Sequence, residues 1–254
     1  EGLGEDFHMA VAENLLQAQE RVLAELSPAA ASDMRFAALN VVLLWRATPM
    51  PRAQRVGLPD DAFEQRQPDK GLITKQEVRA VSLARLRLHA DSIVWDIGAG
   101  SGSVGLEAAR LCPDGHVFAI EKNEADHAIA GRNHARFGVS NYSLALGKAP
   151  EGLDAWPDPD AVFIGGSGGE LAALIGEVVR RLRPGGVLVM NFVTLENLAT
   201  ATAALQAAGA GGAAIAWDVL QLQAARSKPI LHMHRMAAEN PVWIVCAHQA
   251  GADA

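Results

Sequence analysis

Cysteine is scarce in this 254-residue sequence, with only Cys112 and Cys246. The pair matches neither a disulfide framework nor a zinc motif, so both read as buried thiols in a reducing compartment, and no metal is expected. Aromatic residues make up 5% of the chain and include a single tyrosine, which argues against a surface built to stack nucleobases. No apolar run approaches the roughly 18 residues needed to cross a bilayer. The acidic Glu1-Gly2-Leu3-Gly4-Glu5-Asp6 stands where a secretory signal needs positive charge. Positive charge is itself in deficit: 22 basic against 29 acidic side chains leave a formal charge of −7, so nothing draws the chain generally to nucleic acid or to an anionic membrane. What remains is a cytoplasmic protein. Its composition, half apolar and one fifth charged, can bury a sizeable core, and its length predicts one large domain, alone or with a fragment.

The spacing of Leu15, Leu16, Val22, Leu23 and Leu26 predicts a helix from about Glu13 to Leu26, stopped by Ser27-Pro28. The apolar run from Ala38 to Trp45 suits a strand, closed by Thr48-Pro49-Met50-Pro51. From Pro49 to Lys70 proline, charge and glutamine predominate, as in a linker or irregular arm. After Thr74 the pattern changes to regular alternation, the mark of a parallel sheet with helices on both faces. Helices are expected over 74–88, with Thr74 and Glu77 as a capping box, and over 104–111, 124–137, 170–182 and 195–208. Strands are expected over 92–97, 117–121, 142–146 and 161–164, with another ending near Phe192. Two final strands, 215–222 and 242–247, have no convincing helix between them, which predicts an antiparallel pair at the sheet edge.

The strongest chemical signal is Asp96-Ile97-Gly98-Ala99-Gly100-Ser101-Gly102, placed between a strand and a helix. Glycines there let the backbone turn sharply and approach a ligand, while the next helix presents free N–H groups. Gly100-Ser101-Gly102-Ser103-Val104-Gly105 also fits a dinucleotide loop, with Glu121 about 20 residues on to hold a ribose. Three features favour S-adenosylmethionine. Asp96 would repel a pyrophosphate yet suits the ammonium of a methionine moiety. Arg183-Pro184-Gly185-Gly186 forms a tight turn that recurs before the fifth strand of S-adenosylmethionine-dependent methyltransferases, and the terminal strand pair resembles the reversed hairpin closing their seven-stranded sheet. The fold expected is therefore the Rossmann-like class I methyltransferase fold. Glu121, at the end of the second strand, would accept the ribose hydroxyls. Asp160 and the run from Gly165 to Gly169 lie at the end of the fourth strand, where an open α/β sheet puts its ligand crevice.

These residues resemble a particular family. Gly71 to Arg79, the loop Asp96 to Gly102, Gly147-Lys148-Ala149-Pro150-Glu151, Ile164 to Glu170 and Asn240-Pro241-Val242 are similar to the decarboxylating precorrin methyltransferases of cobalamin biosynthesis, over about residues 58–248. Glu13-Asn14-Leu15, Glu20-Arg21 and Phe36 to Val42 resemble the last elements of the tetrapyrrole methylase domain that precedes this one in fused enzymes, although Leu16-Gln17-Ala18 replaces the usual Gly-Gly-Pro. The resemblance implies a remnant of that domain over 1–50, a linker and arm over 51–70, and the methyltransferase domain over 71–254. It implies methylation of macrocycle carbon 15, loss of carbon dioxide from the carbon 12 acetate, and a homo-oligomer, a tetramer as in the family. Carried over residue by residue, the cofactor contacts are Thr74, Gly98, Ala99, Gly100, Ser101, Gly102, Glu121 and Ala149, beside Asp96. Glutamate at position 121 replaces the family's common aspartate.

The sulfonium of such a cofactor is already electrophilic, so alignment and exclusion of water are the main demands on the protein. A tetrapyrrole bearing many carboxylates needs local cations, and Arg226, Lys228 and Arg235, with His232 and His234, are the nearest supply; Gly165 and Gly166 would lie under the substrate. Glu77, Arg79 and Glu170 are proton-donor candidates by family position only. Two other readings stay open: a methyltransferase acting on RNA or protein, and a noncatalytic cofactor-binding partner.

Overall fold

The run Ile93-Val94-Trp95-Asp96-Ile97 is covered on both faces and forms the middle of a seven-stranded sheet in the computed structural model, which describes residues 7–46, 54, 56–66, 73–166 and 169–250. The Gly71-Leu72 start of the arm motif, the Ser167-Gly168 centre of the second glycine run and the Pro49–Pro51 stop lie outside the described residues. The chain forms two compact units, 1–53 and 54–254.

In the first unit, β1 (Phe7–Glu13) pairs antiparallel with both β2 (Arg21–Leu26) and β3 (Asn40–Arg46), in the order β2-β1-β3, with the short helix α1 (Pro28–Ser32) between β2 and β3. The strand expected over 38–45 is present. The helix expected over 13–26 is not: Asn14 and Leu16 turn at positive φ, and residues 21–26 pair with β1. Of the apolar residues that suggested a helical stripe, Leu15 and Leu16 lie in the turn after β1, Leu16 almost fully exposed, and Val22, Leu23 and Leu26 belong to the single strand β2.

The second unit begins with the described part of the arm, which packs rather than dangles. Phe63 is buried, its ring 4.9 Å from that of Phe137, and Gly57 N and Leu58 N donate to the buried Glu107 carboxylate at 2.6 and 3.2 Å. There follow α2 (Gln76–Arg85), β4 (Ile93–Ile97), α3 (Ser103–Leu111), β5 (His116–Glu121), α4 (Glu124–Phe137), β6 (Tyr142–Leu146), β7 (Ala161–Ile164), α5 (Leu171–Arg181), β8 (Val187–Phe192), α6 (Leu195–Ala210), β9 (Ile215–Leu222), β10 (Ala225–Ile230), β11 (Met233–Ala238) and β12 (Val242–Gln249). Helix α2 starts one residue later than the expected capping box requires: Lys75 is its N-cap and makes no side-chain cap bond, so Thr74 does not cap it.

The sheet order is β6-β5-β4-β7-β8-β12-β9, and β12 alone runs against its neighbours. The two last sheet strands are thus antiparallel as expected, with β12 inserted between β8 and β9. The segment between them, for which the sequence suggested no helix, is a further antiparallel hairpin, β10–β11, separate from the main sheet. One apolar cluster, with Val78, Leu83, Val104 and Leu106, covers one face of the sheet, and a second, with Leu174, Ile175, Val178 and Leu205, covers the other. Each such side chain taken fully from water contributes about 1.5–3 kcal/mol. That two-sided burial holds the carboxyl ends of β4, β5 and β7 as a fixed rim. No described helix is long and apolar enough to cross a membrane.

Candidate active site

The loop after β4 is shaped by close backbone packing. Gly98 N and Ala99 N both donate to Ile120 O, at 2.9 and 3.1 Å. Gly98 has φ +73, and a Cβ there would lie 2.6 Å from Gly166 N, so only glycine lets the two loops touch. A Cβ on Gly105 would meet Asp96 Oδ2 at 2.5 Å, which explains the glycine in the first turn of α3.

Glu121, buried at the end of β5, links this loop to the next. Gly100 N donates to its Oε2 at 2.9 Å and Asn123 N to its Oε1 at 2.8 Å. A cavity of about 330 Å³ opens beside it, lined by Gly98, Gly100, Ile120, Glu121, Gly147, Ala149, Gly165 and Gly166, among others. Of the expected cofactor residues, Gly98, Gly100, Glu121 and Ala149 come together here. Thr74 does not; it lines a second cavity. Ala99, Ser101 and Gly102 complete the loop without lining the first cavity. Sequence reasoning passed over Asn123, which caps α4 through its side chain, and Arg66 and Asp126, joined by a 2.6 Å ion pair; all three line the cavity. An Asn two residues beyond the strand-end acid was the signal available for the first.

Asp96, expected beside the cofactor, does not itself line the cavity. It is enclosed beneath the loop, where its Oδ2 accepts from Gly105 N at 3.0 Å. Its Oδ1, Ser101 Oγ and Tyr142 Oη are buried without hydrogen-bond partners among the described residues. Desolvation, with the nearby Glu121 charge adding to it against the Gly105 hydrogen bond, pushes the Asp96 carboxyl up to about 7.

The second cavity, about 420 Å³, is lined by Ile73, Thr74, Lys75, Glu77, Val78, Asn191, Phe192, Val193, Leu222 and Glu239, among others. Gly165 and Gly166 line both cavities. Among the described residues, the lining the two cavities share therefore carries no side chain beyond hydrogen, which lets groups on either side of it approach closely.

The hairpin cations lie elsewhere. Lys228 and Arg235 face each other across β10–β11, both exposed, and line neither cavity. Arg226 contacts Glu77 at 2.5 Å and Asp60 at 3.2 Å; the guanidinium holds the Glu77 carboxyl below the ordinary range. Arg79 is wholly buried, bonded to Glu107 at 2.7 Å, to Asp60 at 3.2 Å and to the Thr74 and Leu58 carbonyls. That geometry makes it an anchor for the arm. Glu170 is paired with Lys148 at 2.8 Å.

The strand order, the reversed β12 and the acid-bounded glycine loop together define a class I S-adenosylmethionine-dependent methyltransferase. The chain belongs to the precorrin methyltransferase family, whose domain matches residues 61–248. It is 41% identical over 177 residues to a cobalt-precorrin-6B C(15)-methyltransferase (decarboxylating) of Salmonella typhimurium, covering 70% of this chain and 89% of that one. Against the precorrin-6Y C(5,15)-methyltransferase [decarboxylating] of Sinorhizobium sp it is 40% identical over 140 residues, 55% of this chain and 33% of that longer protein. The crystal structure of a precorrin-6Y C5,15-methyltransferase from Geobacter metallireducens GS-15 superposes with a TM-score of 0.72 at 43% identity, over 78% of this chain and all of that one.

Proposed function

We propose that the protein transfers a methyl group from S-adenosylmethionine to carbon 15 of a precorrin macrocycle and removes carbon dioxide from the carbon 12 acetate, in cobalamin biosynthesis. The observation that carries this is the pair of cavities meeting at the bare Gly165-Gly166 wall, one suited to the cofactor and one to a flat, largely apolar substrate edge. The first fits S-adenosylmethionine by its donor set. Glu121 offers a carboxylate to a vicinal diol, Ile120 and Ala149 give apolar surface for a flat ring, and Gly98 has no Cβ at the closest approach. Bound there, the cofactor would supply an electrophilic methyl group; the chain's own part is to orient both partners and keep water out. Val78, Phe192, Val193 and Leu222 supply apolar contact on the substrate side. Asp96, beneath the loop, serves the cofactor by fixing Gly105 and the start of α3, and Ala99, Ser101 and Gly102 serve by holding the loop's shape.

The same reading takes residues 1–50 as a remnant of a tetrapyrrole methylase domain, 51–70 as linker and arm and 71–254 as the methyltransferase domain. It places the protein in the cytoplasm and assembles it as a homotetramer, for which exposed Ile230, Leu231, Met233 and Met236 on the β10–β11 hairpin offer apolar surface. Neither nucleic acid nor membrane is needed as a partner. Incubating the protein with S-adenosylmethionine and precorrin-6B and weighing the product tests the activity. Gain of one methyl with loss of one carbon dioxide is expected; cofactor binding without either change would refute it.

A further inference from the structure

A polycarboxylate substrate requires a cation at its cavity, and none of Arg226, Lys228 and Arg235 lines the second one, Arg226 being taken up by Glu77 and Asp60. The described lining of the second cavity has three ionisable side chains, Lys75, Glu77 and Glu239. Glu77 is committed to Arg226. The Lys75 ammonium makes no ion pair or hydrogen bond with any described residue. Nor does local structure account for a lysine there. Position 75 is the N-cap of α2, where a short side chain that bonds the free N–H groups is preferred, and Lys75 makes no such bond. A positive charge at the positive end of a helix is also unfavourable. A residue that is poor for its helix, unpaired, and at the wall of a cavity is explained by what enters the cavity.

Resting on the precorrin reading above, we propose that Lys75 is a specificity-determining residue that grips one of the substrate's carboxylates, and that this carboxylate is one the product retains. The second part follows from the chemistry. Decarboxylation breaks the bond between the acetate methylene and the carboxyl carbon; the bonding pair passes into the conjugated macrocycle, neutral carbon dioxide leaves, and a proton returns to the methylene. An ammonium on the departing carboxylate would stabilise the charged ground state more than the transition state and slow the step. On a retained carboxylate it binds ground state and transition state alike, strengthening affinity without altering turnover.

The test is Lys75→Gln, with Lys75→Arg as the conservative partner, in the full chain. Lys75→Gln is expected to raise the KM for precorrin-6B about tenfold, the effect of losing roughly 1.4 kcal/mol of pairing, with kcat within twofold and S-adenosylmethionine affinity unchanged. Lys75→Arg should recover most of the loss. Binding of uroporphyrin, an octacarboxylate tetrapyrrole, followed by tryptophan quenching, should weaken by a similar factor in the glutamine variant. Unchanged KM and uroporphyrin affinity would overturn the assignment, as would a fall in kcat at constant KM, which would put the ammonium on the reacting groups. A wild-type protein that bound S-adenosylmethionine but neither converted precorrin-6B nor retained uroporphyrin would instead refute the precorrin reading itself.

Discussion

Asp96 should make itself visible in the pH dependence of stability. With its carboxyl pushed up to about 7 in the folded protein and an ordinary value near 3.9 in the unfolded chain, the folded state alone keeps the proton between these limits. Stability from this group is therefore complete below about pH 4 and is lost as pH rises through 7. Asp96→Asn removes the titration, so its Tm should fall less than the wild type's between pH 5 and 8; parallel curves would mean that the carboxyl is not enclosed. Arg79 makes the complementary case. Glu107 beside it is also fully buried, and a buried charge left without its partner costs about 3–5 kcal/mol. Arg79→Ala should therefore lower stability by that amount in denaturant titrations, and retention of full stability would show that water reaches Glu107. The position of the glycine loop between β4 and α3 and of Glu121 at the end of β5 was legible in the sequence, because each follows from where a strand stops. The partners of Arg79 and Arg226 were not: Glu107 is 28 residues from Arg79 and Glu77 is 149 from Arg226, distances that only the folded topology closes.

Elements show the same division. Strands and helices from β4 to α6 follow their apolar periodicity, because each is buried on the face its pattern announces. Residues 13–26 misled, since leucines at helical spacing cannot reveal that β1 will pair on both edges with β2 and β3; non-local pairing overrode local pattern. The β10–β11 hairpin was hidden for a different reason: its residues are almost all exposed, so no buried face imposes the alternation by which a strand is recognised. That exposure carries an expectation. Leu231 is 91% exposed at the hairpin tip, and if the hairpin joins copies of the chain, Leu231→Glu with Met233→Glu should lower the sedimenting mass at micromolar concentration while leaving the circular dichroism spectrum intact. A wild-type monomer, or an unchanged assembly in the double variant, would remove the hairpin from the interface.

At the scale of the molecule, charge sets the last expectation. The chain carries −7 and the proposed substrate is a polyanion, so their long-range interaction is repulsive and is screened over about 10 Å at 0.1 M salt. Attraction is confined to short-range pairing at a cation such as Lys75, where separation is well inside the screening length and added salt acts less. The two effects have opposite signs and different ranges. Raising ionic strength from about 0.01 to 0.1 M should first relieve the repulsion and increase the association rate for the macrocycle, as for any two reactants of like charge. Beyond that range the pairing weakens and KM should climb. Stopped-flow binding of uroporphyrin across this salt series checks the argument: an association rate that falls steeply from the lowest salt upward would mean that a local basic surface steers the substrate despite the net charge.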